Sequence, residues 1–116
     1  FLENDGKGNF NMLKLPWQAQ MAPIQDIEFA DLDGDEKDEV FVVGDLFNVE
    51  VETVRYDAST GAILKWTGTE FICMDRKETG FVGTGDARKI EVIDQPGGKQ
   101  IIVLANNNGP IETFVK

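Results

Sequence analysis

The sequence has no histidine and a single cysteine, Cys73. Without His, neither Ser-His-Asp nor Cys-His catalysis can be assembled, and imidazole-based zinc or iron sites are excluded. One Cys permits no internal disulfide and does not fix the redox compartment. Cys73 lies between Ile72 and Met74 and, with no His to activate it, reads as a buried inert thiol. Basic residues are scarce too: 11 Lys and Arg stand against 21 Asp and Glu, a net charge of −10. Arg88-Lys89 is too small to be a basic patch, so the balance argues against nucleic acid or an anionic membrane surface as partner. Apolar runs such as Ile101 to Ala105 are far too short to span a bilayer, and no membrane insertion is expected. No signal peptide is expected within these residues. It begins at Phe1 without Met, as expected of a processed product or a piece of a longer protein.

An amphipathic segment of helical length is also missing. What is present is a series of short apolar segments divided by turn residues, in 116 residues that are 41% apolar. That is enough for one domain with a modest core, and it reads as all-β. Asn4-Asp5-Gly6-Lys7-Gly8 makes a turn between two hairpin arms. Residues 17–23 form a connection. Ile24 to Ala30 alternates, and Val40 to Val43 is a continuous apolar run typical of a strand buried on both faces. Further strands are expected at 49–56, 62–66, 71–74, 90–94, 101–104 and 111–115, and residues 75–87 read as a Gly-rich loop. The G-x-x-G-x-G of residues 80–85 is not a P-loop pattern, and no helix follows it.

The two halves repeat. Ile27 to Asp31 aligns with Ile90 to Asp94, Gly34 with Gly97 and, with a two-residue deletion, Val40 to Val43 with Ile101 to Leu104; Glu52-Thr53 then matches Glu112-Thr113. Leu2 to Phe10 resembles Leu64 to Phe71. The period is about 60 residues, the size of one small antiparallel sheet with its connections.

One stretch stands apart. Asp31, Asp33, Asp35, Asp38 and Glu39 crowd into nine positions between two apolar strands. Such a cluster repels itself unless it is neutralised, and the odd-numbered series 31, 33, 35, 39 is what a compact loop needs to aim oxygens at one point. Ca²⁺ is hard, prefers oxygen and takes six to eight ligands in loose geometry; Mg²⁺ demands a stricter octahedron. A solvated acidic turn is the bland reading. A catalytic pair of carboxylates would need one acid in an apolar pocket, and a hydrophilic turn does not provide one. The second copy has Pro96 and Gly98 where the first has Asp33 and Asp35, so the scaffold is duplicated while the acids occur once. It is not an EF-hand, because position six is Glu36, position twelve is Val42 and the flanks are strands.

The run D-L-D-G-D-E-K-D-E followed by V-F-V-V and preceded by I-x-F-A resembles the FG-GAP or VCBS repeat of integrin-α-like β-propellers. The turn N-D-G-K-G-N-F at 4–10 is similar to the hairpin such repeats carry. With R-Y-D-A-S-T-G at 55–61 and L-A-N-N-N-G-P-I at 104–111, the chain resembles the C-terminal end of bacterial propeller proteins of this type.

The resemblance implies antiparallel β-propeller blades. Residues 1–16 would be the outer hairpin of a preceding blade, 17–75 a blade with an acidic Ca²⁺ loop, and 76–116 a degenerate second blade. It implies side-chain ligands from Asp31, Asp33, Asp35 and Glu39, a backbone carbonyl from Lys37, and tight curling at Gly34, with Asp38 facing solvent. Two blades do not close a propeller of four to eight, so a longer chain or a homo-oligomer is expected. The function expected is a non-enzymatic, Ca²⁺-stabilised binding or scaffolding module, secreted, periplasmic or at the cell surface, with a protein or glycan partner. The alternatives are an accessory part of a larger secreted hydrolase or lyase, or a carbohydrate-binding module stacking sugars on Trp17 or Trp66. Core or inter-blade packing is the commoner use of such tryptophans.

Overall fold

The computed structural model of the chain describes residues 1–116. The fold is all-β, with three antiparallel sheets. Strands β1 (Leu2–Asn4) and β2 (Phe10–Met12) form a hairpin exposed on both faces. Its turn is tied by side chains: Asn4 Oδ1 accepts from the Gly6 N–H at 2.9 Å, and Asp5 Oδ1 accepts from Lys7 at 2.7 Å and Asn9 at 3.1 Å. A single 3₁₀ turn, Trp17–Gln20, lies in the connection that follows.

The second sheet is a four-stranded meander of β3 (Asp26–Ala30), β4 (Glu39–Val43), β5 (Ala62–Trp66) and β6 (Phe71–Cys73). Alternation decides its faces. Phe41, Val43 and Ile63 point to one side; Val42, Ala62 and Leu64 point to the other. Strand β4 is buried on both, as its unbroken apolar run implies. The third sheet contains β7 (Ala87–Gln95), β8 (Lys99–Asn106) and β9 (Glu112–Val115).

The larger core lies between these two sheets. Phe41, Val43 and Ile63 meet Ile90, Ile102 and Leu104, and Phe81 fills the centre from the connecting segment. Its ring stands edge-on to Phe41 at 6.4 Å and to Phe114 at 5.0 Å. Gly61 makes room for it, since a Cβ there would stand 2.6 Å from Phe81 Cε1, and its φ of +72° is one that Gly adopts without strain. The sheets are also tied by polar contacts at Asp26, which accepts from the Ile90 N–H at 2.8 Å and from Lys89 Nζ at 3.0 Å.

Three expectations need correction. The strand expected at 49–56 is a turn closed by one bridge, Leu46 to Tyr56. Its alternation is real, but both edges of β4 are taken by β3 and β5, so Val51 and Val54 have no sheet to join and are exposed. Residues 75–87 begin with one helical turn, α1 (Arg76–Thr79), capped by Asp75 and ended by Gly80 at φ +68°. The repeat also has a different register. Ile27 pairs with Val42 and Phe29 with Val40, as Ile90 pairs with Leu104 and Val92 with Ile102. The second copy is therefore one residue shorter than the first, not two, and β9 corresponds to β5 rather than to residues 52–53.

Candidate metal centre

The acidic stretch is the loop from Asp31 to Asp38 between β3 and β4, and most of its order is made by its own carboxylates. Asp31 Oδ1 accepts from the backbone N–H of Gly34 at 2.7 Å and of Asp35 at 3.1 Å, and its Oδ2 from Glu36 at 2.9 Å. Asp33 accepts from Asp35 at 3.3 Å, and Asp35 from Lys37 at 3.0 Å. The backbone curls through Gly34 at φ +81° and Glu36 at φ +65°. Leu32 anchors the loop in the core, and its N–H donates to Glu39 Oε2 at 2.9 Å, which pins the first residue of β4 to the loop.

One carboxylate oxygen each from Asp31, Asp33 and Glu39 lie within 4.8 Å of one another. Glu39 is 1% exposed. Opposite it, one step beyond the Val40–Leu64 pair, Lys65 extends from β5. Its ammonium bonds to Asp33, lies 3.1 Å from Asp35 Oδ2 and 3.1 Å from Glu39 Oε1. Hydrogen bonds to Asp33 first, then to Asp35, and more weakly to Glu39, raise the Lys65 pKa well above its ordinary value. The same contact is the largest cause that lowers the Asp35 carboxyl.

Of the residues expected as ligands, Asp31, Asp33 and Glu39 are brought together, and Asp35 joins them through Lys65. Lys37, expected to offer its backbone carbonyl, contacts the loop through its N–H, which donates to Asp35 Oδ1 at 3.0 Å. Asp38 stands outside the group, exposed. Lys65 was invisible in the sequence as a site residue, because only strand pairing sets it beside Glu39. The donor set suits a hard cation. An ion with bonds of about 2.3–2.6 Å spans oxygens up to about 5 Å apart. The ammonium of Lys65 now sits where such a charge would be neutralised.

A second polar cluster escaped the sequence reading. Asp45 and Asp86 are both buried. Burial pushes the Asp45 carboxyl up to about 6 despite a hydrogen bond from the Ser59 N–H, and the charges of Asp57 and Asp86 add to the shift. Burial also opposes the ionisation of Asp86, but Asn107 and Arg88 outweigh it and hold that carboxyl below its ordinary value. Elsewhere, Trp66 stacks at a tilt on Phe71, 4.9 Å between centroids. Trp17, expected in packing, is 66% exposed beside Cys73, Asp75 and Arg76. Cys73 is half-buried, and burial raises its thiol.

Comparison with known proteins returns no match, whether of a family model, a curated protein or a solved structure. The likeness of the acidic loop to FG-GAP and VCBS repeats rests on its residues.

Proposed function

We propose that the chain is a Ca²⁺-stabilised segment of an FG-GAP or VCBS-type β-propeller, with its two larger sheets as blades, and that it works as a non-enzymatic binding or scaffolding module outside the cytoplasm. One observation carries this reading: Asp31, Asp33 and Glu39 converge within 4.8 Å at the junction of β3 and β4. A bound Ca²⁺ would neutralise their repulsion. Asp31 holds the loop backbone, Asp33 and Asp35 present oxygens from successive turns of it, and Glu39 fixes the site to the central strand. Because the unfolded loop gathers no such set, binding free energy becomes folding free energy.

Thermal melting in EDTA, then with added Ca²⁺ or Mg²⁺, tests the proposal. Calcium at about one hundred times its dissociation constant adds about 2.7 kcal/mol. A domain of this size responds by roughly 4 °C per kcal/mol. Asp33→Ala abolishes the shift and Asp38→Ala keeps it. No shift at millimolar calcium overturns the metal claim.

A second reading of the same residues is favoured by Lys65. Its ammonium, bonded to Asp33, Asp35 and Glu39, would be a permanent internal counter-ion in place of a metal. Under that reading calcium leaves the melting temperature unchanged, and removing Lys65 lowers it in every buffer. A glycan-binding role finds support in exposed Trp17, and quenching of its fluorescence by oligosaccharides is the corresponding check.

A further inference from the structure

The connection between β4 and β5 leaves the core and returns to it. Its outer part is bare: residues 50–58 are all exposed, Val51 and Val54 among them. At its base one bridge holds the backbone. The Leu46 N–H donates to the Tyr56 carbonyl at 2.8 Å, and the Tyr56 N–H to the Leu46 carbonyl at 3.0 Å. Inside the loop, the Val49 N–H donates to Phe47 and the Thr53 N–H to Glu50. A segment with so few buried contacts opens locally at low cost, while the strands it joins stay paired.

Buried acids stand beside this bridge. Asp45 directly precedes Leu46 and is 4% exposed. Its Oδ1 accepts the Ser59 N–H at 3.2 Å, so one carboxyl joins the start of the loop to its end. No cation answers its charge. The charge of Asp57 acts on it from the same loop, and that of Asp86, just before β7, from the neighbouring sheet. Arg88 on β7 is spent on Asp86, with Nη2 2.9 Å from Oδ2. Asn107, just beyond β8, donates to the same oxygen at 3.1 Å, while Asp86 Oδ1 is buried without a partner. From the segment before β3, Gln25 Nε2 reaches only the backbone carbonyl of Asp45, at 3.4 Å. Two buried carboxyls thus share one guanidinium, and it belongs to Asp86.

We propose that Asp45 is a proton-operated latch for the loop at residues 46–58: protonated, it stays buried and the Leu46–Tyr56 bridge is closed; ionised, it is drawn into water and the bridge opens while both larger sheets remain folded. Linkage sets the sign. Burial first, and then the charges of Asp57 and Asp86, hold the carboxyl at about 6 in the closed loop, and exposure to water in the open loop returns it to its ordinary 3.8. Below about pH 4 both forms keep the proton and the bridge is at its firmest. As the pH rises the open population grows, and it levels off above about pH 6 after a total gain of about a hundredfold. Asp45 lies beyond the opposite end of β4 from Glu39, so the latch does not depend on the cation reading.

Hydrogen exchange of the whole chain, read amide by amide by NMR and corrected for the intrinsic rate at each pH, tests the latch. The Leu46 and Tyr56 amides should lose about fiftyfold in protection between about pH 4 and pH 7. Their exchange should not change at low urea concentration, the mark of a local opening, and the amides of Ile102 and Leu104 in β8 should stay far better protected. Asp45→Asn keeps an acceptor for the Ser59 N–H without the charge and should flatten the profile. Should that variant fail to fold, titration of the Asp45 carboxyl by carbon NMR in the wild type keeps the test: the loss of protection must level off where that carboxyl titrates. Equal protection at both pH values overturns the proposal. So does a pH dependence that survives Asp45→Asn, or exchange of Leu46 and Tyr56 only together with β8 through global unfolding.

Discussion

Lys65 and Glu39 face each other across β5 and β4, the ammonium 3.1 Å from a carboxylate oxygen on a side chain that is 1% exposed. This pair ties the acidic loop to the sheet, since the other oxygen of Glu39 accepts the Leu32 N–H. It also places a positive charge on the oxygens that a cation would need.

Lys65→Gln separates these roles. Without metal, the substitution leaves Glu39 buried with its charge uncompensated, and the protein is destabilised, though less than when a fully buried pair is broken, because Lys65 is partly exposed. A lower urea midpoint in EDTA measures that loss. With Lys65 gone, Ca²⁺ no longer competes with an ammonium for Asp33, Asp35 and Glu39, and calorimetric titration gives a tighter dissociation constant than for the wild type. An unchanged constant shows that Lys65 and the ion do not share oxygens.

Glu36 stands at φ +65°, where a side chain with a Cβ is strained. Its N–H is held by Asp31 Oδ2, so the conformation is set by the acidic loop and not by Glu36 itself. Glu36→Gly relieves the strain, offset by the extra freedom Gly gives the unfolded chain, for a net gain of about 0.5–1 kcal/mol. The gain appears as a higher urea midpoint. The calcium response is retained, because the Glu36 carboxylate is not among the converging groups.

The strand pattern was legible because period-two alternation and turn residues are local signals. Phe29, Phe41, Val103 and the turns at Asn4–Gly8 and Pro96–Gly98 could be placed on sight. The segment 49–56 misled for the same reason: alternation reports an amphipathic strand but not whether a neighbouring edge is free. Lys65 was hidden because a cross-strand partner depends on register, and register is a tertiary property. Phe81 was hidden inside a polar, Gly-rich loop, where no periodicity marks an apolar residue as core. The asymmetry of the acids, by contrast, was visible in the sequence. Its partner signal, Ile101–Val115 in place of Glu39–Lys65, needed the ladder.

Asp45 sets a pH dependence of opposite sign to that of Asp35. Its carboxyl is raised to about 6 in the fold, chiefly by burial. The stability it contributes is therefore fully present below the unfolded value near 3.8 and is lost as the pH rises through about 6. Asp26 runs the other way: burial opposes its ionisation, the Ile90 N–H and Lys89 outweigh burial, and its contribution is lost as the pH falls below the ordinary carboxylate range. Asp45→Asn keeps an acceptor for the Ser59 N–H without the buried charge. It raises the melting temperature at pH 8, by at most about 3 kcal/mol in stability, and the gain shrinks towards zero by about pH 4. A gain that is the same at both pH values would mean that burial of the charge is not its cause.

Gly61 and Phe81 test how the two larger sheets are joined. Gly61 precedes β5, Phe81 arrives from the connection between the sheets, and the ring occupies the space that a side chain at position 61 would need. Gly61→Ala adds two costs, a Cβ at φ +72° and a contact of 2.6 Å that only movement of a fully buried ring can relieve. Overpacking of this kind costs about 1–3 kcal/mol, and the left-handed backbone about 1 more. Phe81→Ala should cost about 3–5 kcal/mol by opening a cavity between Phe41 and Phe114. The two changes touch the same space, so their effects are not additive: in the double variant the methyl group introduced at position 61 fills part of the cavity, leaving only its backbone strain. A double-mutant cycle by urea unfolding should give a double variant more stable than the sum of the single losses, by about 1–2 kcal/mol. Simple additivity would mean that the Phe81 ring does not rest on the space beside Gly61.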